Sequence, residues 1–423
     1  MHRPLLLRFY YLIMQALMLV LPFYLNRRAK AGKEDSARLN ERHGLYQTNP
    51  FDKKTIWLHG VSVGEVSAAL ALAKALLSHI KEAHFIITTN TVTAAKLVED
   101  ASSALPVTHY YVPFDAPSSV GRFFDHINAD FGVIFESDFW PCLLNTAHER
   151  GTPLYLASAQ MSESSFQKWA SRPALAAAIF GKMSHCFCHD DTQAGYFQKL
   201  GLTDVTVTGS LKLPAITTRK TALANQLVKA ANGRAVILGA STHQGEERQL
   251  LDISAHLEAR GVDHFLIMAP RHPIRGDEVA SLLPQAKRFS KGEMPSEKEN
   301  VYILDSLGQM ASLYQAADIV WLGATFSGKG GHNPLEAAGY GKPVISGLSQ
   351  FKNQYEFDQL TALGLVTQIV DTNQTAQFIM GLYQDKEMRD AIAKKGRSYA
   401  KKAQKRSDTV AKTIFELQAE RQR

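Results

Sequence analysis

Apolar positions along this chain fall into two alternating rhythms. From Thr55 to about Val207, short runs rich in Ile, Val, Phe and Leu alternate with longer stretches whose apolar residues recur at helical spacing. The runs 55–59, 84–89, 108–112, 132–135, 153–157, 185–188 and 204–208 read as strands. The rhythm restarts at 235–239 and continues through 264–269, 301–304, 319–323, 343–346 and 365–369. Strands interleaved with helical patterns predict an α/β protein of parallel sheets with helices on both faces. A polar segment, 214–233, reads as helix plus linker between residues 34–213 and residues 234–423. The prediction is two Rossmann-like domains facing one another across a cleft. The stretch from Glu387 to Gln418, rich in Lys and Arg, reads as a closing helix packed across the domain junction.

The N-terminal pattern is different. Between Leu5 and Leu25 only Arg8, Gln15 and Pro22 interrupt an apolar and aromatic run, about the length that spans a hydrocarbon core. Arg3 precedes the run and Arg27, Arg28, Lys30 and Lys33 follow it, an excess of positive charge that keeps the globular part in the cytoplasm. Residues 1–33 are therefore expected to be a membrane-anchor helix with a basic flank. With Arg8 able to snorkel, a shallow monotopic anchor is the other form this segment can take. A cleaved signal peptide fits less well, because basic residues stand where small ones should.

Charge changes the picture only in one respect. A formal net charge of +7 favours an anionic partner. No zinc-finger spacing, RNA-binding signature or dense Lys/Arg block supports nucleic acid, so an anionic membrane leaflet or lipid is the better partner. Three cysteines, Cys142, Cys186 and Cys188, do not make a disulfide framework. Cys186 and Cys188 are expected on opposite faces of one strand, as buried cytosolic thiols.

Candidate chemistry begins at His59-Gly-Val-Ser-Val-Gly-Glu65, a glycine-punctuated loop between a strand and a helix. Ligands of open α/β sheets bind at the carboxyl ends of strands, where this loop should lie. Glu65 can face that site, or it can simply complement the helix dipole. Glu136 ends the strand 132–135 in the same way, and Lys212 follows the last strand of the first block. A lysine there can neutralise developing negative charge. In the second block Arg271 and His272 follow a strand, Arg offering planar donors for a phosphate. Gly330, Gly331 and Asn333 lead to Pro334-Leu335-Glu336. Glycines there let the backbone approach a ligand, and a helix N-terminus attracts phosphate.

These motifs occur in order with Val112-Pro-Phe-Asp-Ala-Pro117, Glu136-Ser-Asp-Phe-Trp-Pro141, Gly239-Ala-Ser-Thr-His-Gln-Gly-Glu-Glu247 and Pro270-Arg-His-Pro273. The series resembles the 3-deoxy-D-manno-octulosonic acid (Kdo) transferases, which attach Kdo to the lipid A precursor. The resemblance implies the two-domain GT-B glycosyltransferase fold, CMP-Kdo as donor, a lipid A precursor as acceptor, and the cytoplasmic side of the inner membrane as location. It implies Glu65 as proton acceptor, and Glu136 and Lys212 as transition-state stabilisers. It also implies a CMP site of Pro270, Arg271, Leu307, Gly308, Gln309, Asn333, Pro334, Leu335 and Glu336. One carboxylate base can serve an inverting displacement, and no metal or other cofactor is expected.

Several positions depart from the family pattern. Ser210 stands for Asn, Asp138 for Glu, Cys142 for Asn and Gln309 for Glu; Gln160 and Ser164 replace arginines, and Ile274 replaces Glu. Losing arginine removes a fixed charge that could grip an anionic sugar or phosphate. The alternatives are accordingly a paralogue with altered donor or acceptor, a sugar-nucleotide 2-epimerase-like enzyme, or a non-catalytic binder.

Overall fold

A computed structural model describes residues 4–47, 53–212, 216 and 219–421. Arg3 and linker positions 214, 215, 217 and 218 lie outside the described residues. The chain forms two compact units, one of residues 1–213 with 403–423, the other of residues 214–402.

The first unit holds a seven-stranded parallel sheet. Its strands are β1 (Thr55–His59), β2 (His84–Thr89), β3 (Val107–Tyr111), β4 (Phe131–Phe135), β5 (Leu154–Ala159), β6 (His185–Cys188) and β7 (Val205–Val207), in the order β3-β2-β1-β4-β5-β6-β7. Both faces are covered, so the strands are near-continuous apolar runs, with Ile56, Trp57 and Leu58 fully buried. One face packs Trp57, Ile86, Phe123 and Leu156 together; the other packs Leu58, Phe85, Leu72 and Tyr155. The order reverses between β1 and β4, and the loops leaving these two strands diverge there.

The second unit repeats the plan with β8 (Ala235–Thr242), β9 (His264–Pro270), β10 (Lys287–Arg288), β11 (Val301–Ile303), β12 (Ile319–Leu322), β13 (Val344–Ser346) and β14 (Val366–Gln368). Its order is β10-β11-β9-β8-β12-β13-β14, so the reversal falls between β8 and β12. The segment read as linker contains the helix Ala222–Ala231, which buries Leu227 within this unit.

Three sequence expectations change. The apolar N-terminal run is not one helix but two, Leu5–Leu17 and Leu21–Lys30, bent by 62°, and neither alone is long and apolar enough to cross a membrane. Pro22 explains the break: it has no N–H for the Met18 carbonyl and its ring collides with that turn. The pair is folded onto the first unit, with Leu7, Leu21 and Leu25 buried and the Tyr10 hydroxyl donating to Asp115 at 2.8 Å. Its other side leaves Leu5, Phe9, Leu12, Ile13, Leu19 and Phe23 more than half exposed.

Cys186 and Cys188 share one face of β6, their sulfurs 3.4 Å apart, because residues two apart in a strand point the same way. Phe187 between them points to the other core. Both thiols are buried, and neither forms a disulfide. The closing helical stretch is two helices, Lys386–Gln404 and Arg406–Arg421. The second belongs to the first unit, where Val410, Ala411 and Ile414 are buried against the helix Val63–His79.

Candidate active site

Glu65 is the third residue of the helix Val63–His79, and Ser62 is its N-cap. The cap is reciprocal: the Glu65 N–H donates to Ser62 Oγ (3.3 Å), while the Ser62 hydroxyl donates back to Glu65 Oε1 (2.6 Å). The Val61 N–H donates to Oε2 at 2.8 Å. This satisfies a helix end, so the structural role expected from an acidic first turn is present. It also holds the carboxylate still, 8% exposed, at the carboxyl end of β1.

Glu136 leaves β4 with φ of 63°, a left-handed conformation that costs a non-glycine residue of order 1 kcal/mol or more. Its N–H still donates to Ala157 O (2.9 Å), so the strand ladder continues up to the twist that swings the side chain away. Lys212 then joins the two acids. Its Nζ lies 2.5 Å from Glu136 Oε1 and 3.4 Å from Glu65 Oε1. One ammonium is shared by two carboxylates at the point where the sheet order reverses. Gly64 makes this possible: a Cβ there would stand 3.3 Å from Lys212 Cδ and 3.4 Å from Cε.

Residues without an expected role position this group. Ser158, itself at φ 51°, accepts from the Leu211 N–H at 2.8 Å. Arg406, the first residue of the closing helix, donates to Ser210 O at 3.1 Å. Together they fix the loop that ends in Lys212. Fully buried His59 ties β1 to the loop after Glu136, with Nε2 3.0 Å from Asp138 and Nδ1 2.8 Å from the Thr88 hydroxyl. With Nε2–H donating to the carboxylate, Nδ1 accepts from Thr88, whose oxygen takes the Trp57 indole N–H at 2.8 Å. Burial raises the Asp138 carboxyl, but the hydrogen bonds from His59 and Trp140 outweigh it and hold the group below the usual carboxylate range. Apart from Trp140 beside Asp138, these contacts join positions far apart in sequence, so no local pattern could have exposed them.

In the second unit the loops after β8 and β12 occupy the equivalent position. His243 follows β8 and His332 follows β12; their Nε2 atoms are 3.3 Å apart and the rings stack. Burial, then His243, then Arg271 drive the His332 imidazole down to about 4. His243 is lowered chiefly by burial. Both rings are neutral near pH 7. Glu246, 1% exposed, anchors both loops by accepting from the N–H groups of His243, Ala324 and Phe326 at 2.7, 3.0 and 3.2 Å.

Of the residues expected to hold a nucleotide, Pro270 ends β9 and Arg271 follows it, its N–H donating to Thr242 O at 2.9 Å. The Arg271 guanidinium makes no hydrogen bond or ion pair among the described residues. Leu307 is 70% exposed, Gly308 has φ of 82°, and Gln309 precedes the helix Met310–Ala316. The Asn333 carboxamide oxygen accepts from the Leu335 N–H at 2.9 Å, and Pro334 precedes the helix Leu335–Gly339. Burial raises the Glu336 carboxyl, which has no donor among the described residues. The helix has only five residues and its first N–H is already taken, so its dipole is a minor attraction for phosphate. Gly330 and Gly331 have φ of 89° and 75°, and a Cβ at either would also strike Phe351 or Phe357 within 3 Å.

The family profile described as 3-Deoxy-D-manno-octulosonic-acid transferase (kdotransferase) matches residues 37–215. A 3-deoxy-D-manno-octulosonic acid transferase of Rickettsia bellii is 31% identical over 364 residues, 82% of this chain and 84% of the relative. Among solved structures, a UDP-GlcNAc 2-epimerase from Neisseria meningitidis has a TM-score of 0.60 at 15% identity, covering 87% of this chain and 100% of that one. A glycosyltransferase from Rickettsia africae has a TM-score of 0.57 at 13% identity, covering 87% and 99%. Those two likenesses establish the GT-B-like fold, which epimerases and transferases share, and the sequence relationship separates them. The chain belongs to the Kdo transferase family and is a glycosyltransferase.

Proposed function

We propose that this enzyme moves Kdo from CMP-Kdo to a lipid A precursor, with inversion, in lipopolysaccharide synthesis. The observation that carries the reading is the Lys212 ammonium shared by Glu65 and Glu136 at the reversal point of the first sheet. Glu65 takes the proton of the acceptor hydroxyl as that oxygen attacks the anomeric carbon of Kdo and the bond to CMP breaks. When the acceptor enters, Lys212 stays with Glu136 at 2.5 Å and releases the weaker 3.4 Å contact, leaving Glu65 free to act as base. The lysine then faces the negative charge that develops on the reacting groups.

In the second unit, Arg271 supplies charge for the CMP phosphate, and Glu336, without a donor among the described residues, accepts from the ribose hydroxyls. The reading asks for no metal, because Lys212 and Arg271 supply the positive charge. The exposed apolar side of the two N-terminal helices, with Arg27, Arg28, Lys30 and Lys33 beside it, seats the first unit in the anionic cytoplasmic leaflet of the inner membrane.

The deciding experiment incubates the protein with CMP-Kdo and tetra-acylated lipid A precursor and counts added Kdo by mass spectrometry. Release of CMP with Kdo on the lipid is expected; hydrolysis alone, or isomerised sugar nucleotide, would overturn the reading. For the membrane contact, Leu12→Ser with Phe23→Ser should slow transfer to acceptor in liposomes and leave transfer in detergent unchanged. Equal rates for variant and parent in liposomes would refute it.

A further inference from the structure

On the same carboxyl edge of the sheet as Glu65 and Glu136, the first unit contains a cavity of about 360 Å³ between the bent N-terminal helices and the carboxyl ends of β2 and β3. That volume lies in the range of sites for small ligands, roughly 300–1,000 Å³. Its apolar wall is made by Met14, Leu21, Leu25, Phe114 and Leu143. We propose that this cavity receives one acyl chain of the acceptor lipid and thereby sets the acceptor's sugar at Glu65. The proposal rests on the lipid-acceptor reading above and adds a site to it.

Three observations favour an acyl chain of an anionic lipid over other occupants. The cavity adjoins the apolar helix faces that are open to the outside: Leu21 and Leu25 line it, while Leu17, Leu19 and Phe23 of the same segment are exposed. A chain leaving a bilayer at these helices would pass from one apolar surface to the next. The second observation is charge. Arg28, Glu34, Arg42 and Asn90, with Tyr24 and Thr91, bring polar groups to the lining. Glu34 pairs with both arginines, at 2.8 and 2.9 Å, so two guanidinium groups meet one carboxylate. Arg42 spends its remaining donors on Asn90 and Val112 O. Arg28, one-third exposed, keeps donors for an anionic headgroup. Asp115 also lines the cavity, but its oxygens already accept from Tyr10 and from the Cys142 and Leu143 N–H groups.

The third observation connects the cavity to the chemistry. Trp140 lines it, 38% exposed, and belongs to the loop that begins at Glu136 and includes Asp138. An occupant against Trp140 therefore touches the same short loop that carries one of the two Lys212-bound carboxylates.

The test uses the full chain in detergent and compares the acylated acceptor with the same sugar after removal of its acyl chains. Wild-type protein should show a KM at least tenfold lower for the acylated form. Met14→Trp, which fills the cavity, should raise that KM about tenfold and leave turnover of the deacylated sugar unchanged. Equal KM values in the parent, or equal losses on both acceptors, would overturn the assignment. Independently of transfer, a fatty acid with a dibrominated chain should quench Trp140 fluorescence, and Trp140→Phe should remove that quenching. Quenching that survives Trp140→Phe unchanged would also overturn it. Absence of transfer to either acceptor, with Trp140 quenching intact, would sink the acceptor reading while supporting the cavity.

Discussion

The two sheets reverse their order at equivalent places, yet the side chains gathered there are in opposite states. In the first unit, Glu65, Glu136 and Lys212 are already bonded to one another. Around them Ser62, Ser158, His59 and Arg406 fix the loops that present them. In the second unit, Arg271 and Glu336 have no charged partner among the described residues, and the histidines between the loops are neutral. A group that must act in a transition state benefits from being held before the substrate arrives, since reorganisation then costs little. A group that must bind a ligand benefits from unspent hydrogen-bonding capacity, since each bond made to a charged group contributes about 1.5–3 kcal/mol. On the proposed reading, the same topology is finished once for chemistry and once for capture.

The comparison breaks most decisively at Glu65. Glu65→Gln keeps the shape and the cap but cannot take a proton, so transfer should fall by about 10²–10⁴-fold while CMP affinity is unchanged. Steady-state turnover with isothermal titration checks this, and wild-type turnover in the variant would show that Glu65 is only a cap. The complementary change lies in the second unit. Arg271→Ala and Glu336→Ala should each weaken CMP binding by about 10–100-fold. Titration with CMP alone reads this directly, and unchanged affinity in both would remove the capture half of the contrast.

A third measurement follows from the neutral imidazoles. His332 is held down to about 4 in the folded protein, chiefly by burial, against about 6.5 in an unfolded chain. Between those values the unfolded state binds more protons, so this residue's contribution to stability is complete above pH 6.5 and is lost as pH falls toward 4. Denaturant midpoints should decline across that window, and His332→Asn should flatten the decline. A parallel decline in both proteins would place its source elsewhere. The smallest effect is expected from Gly64→Ala, whose Cβ would press on the Lys212 chain at 3.3 Å. A loss of a few-fold in turnover with unaltered CMP binding would show that the exact placing of the ammonium matters. No loss would show slack in that contact.

Much of this architecture could be read in the sequence because the strands are buried on both sides. Continuous apolar runs such as Thr55–His59 and His84–Thr89 begin and end where their hydropathy does. The two-residue strand Lys287–Arg288 has no such run and escaped notice. The N-terminal hydropathy is continuous across Met18–Val20, so the bend at Pro22 was hidden by the composition around it. Candidate residues next to glycines and strand ends, such as Glu65 and Glu136, which the structure brings together around Lys212, were visible. Their supports were not, because Ser158, His59 and Arg406 act across long separations and resemble ordinary polar residues. At the 330–331 turn the structure adds reasons for glycine that the sequence pattern did not carry, a positive φ at both positions and neighbouring aromatic rings.

The return of the helix Arg406–Arg421 to the first unit has a consequence for biogenesis. The ribosome must make the whole second unit before the element that clamps the Lys212 loop emerges. At roughly 5–20 residues per second, the apolar face that receives Val410, Ala411 and Ile414 waits uncovered for some tens of seconds. During synthesis the nascent first unit thus carries an open apolar groove, and the loop of Lys212 is clamped only after the whole second unit has been made.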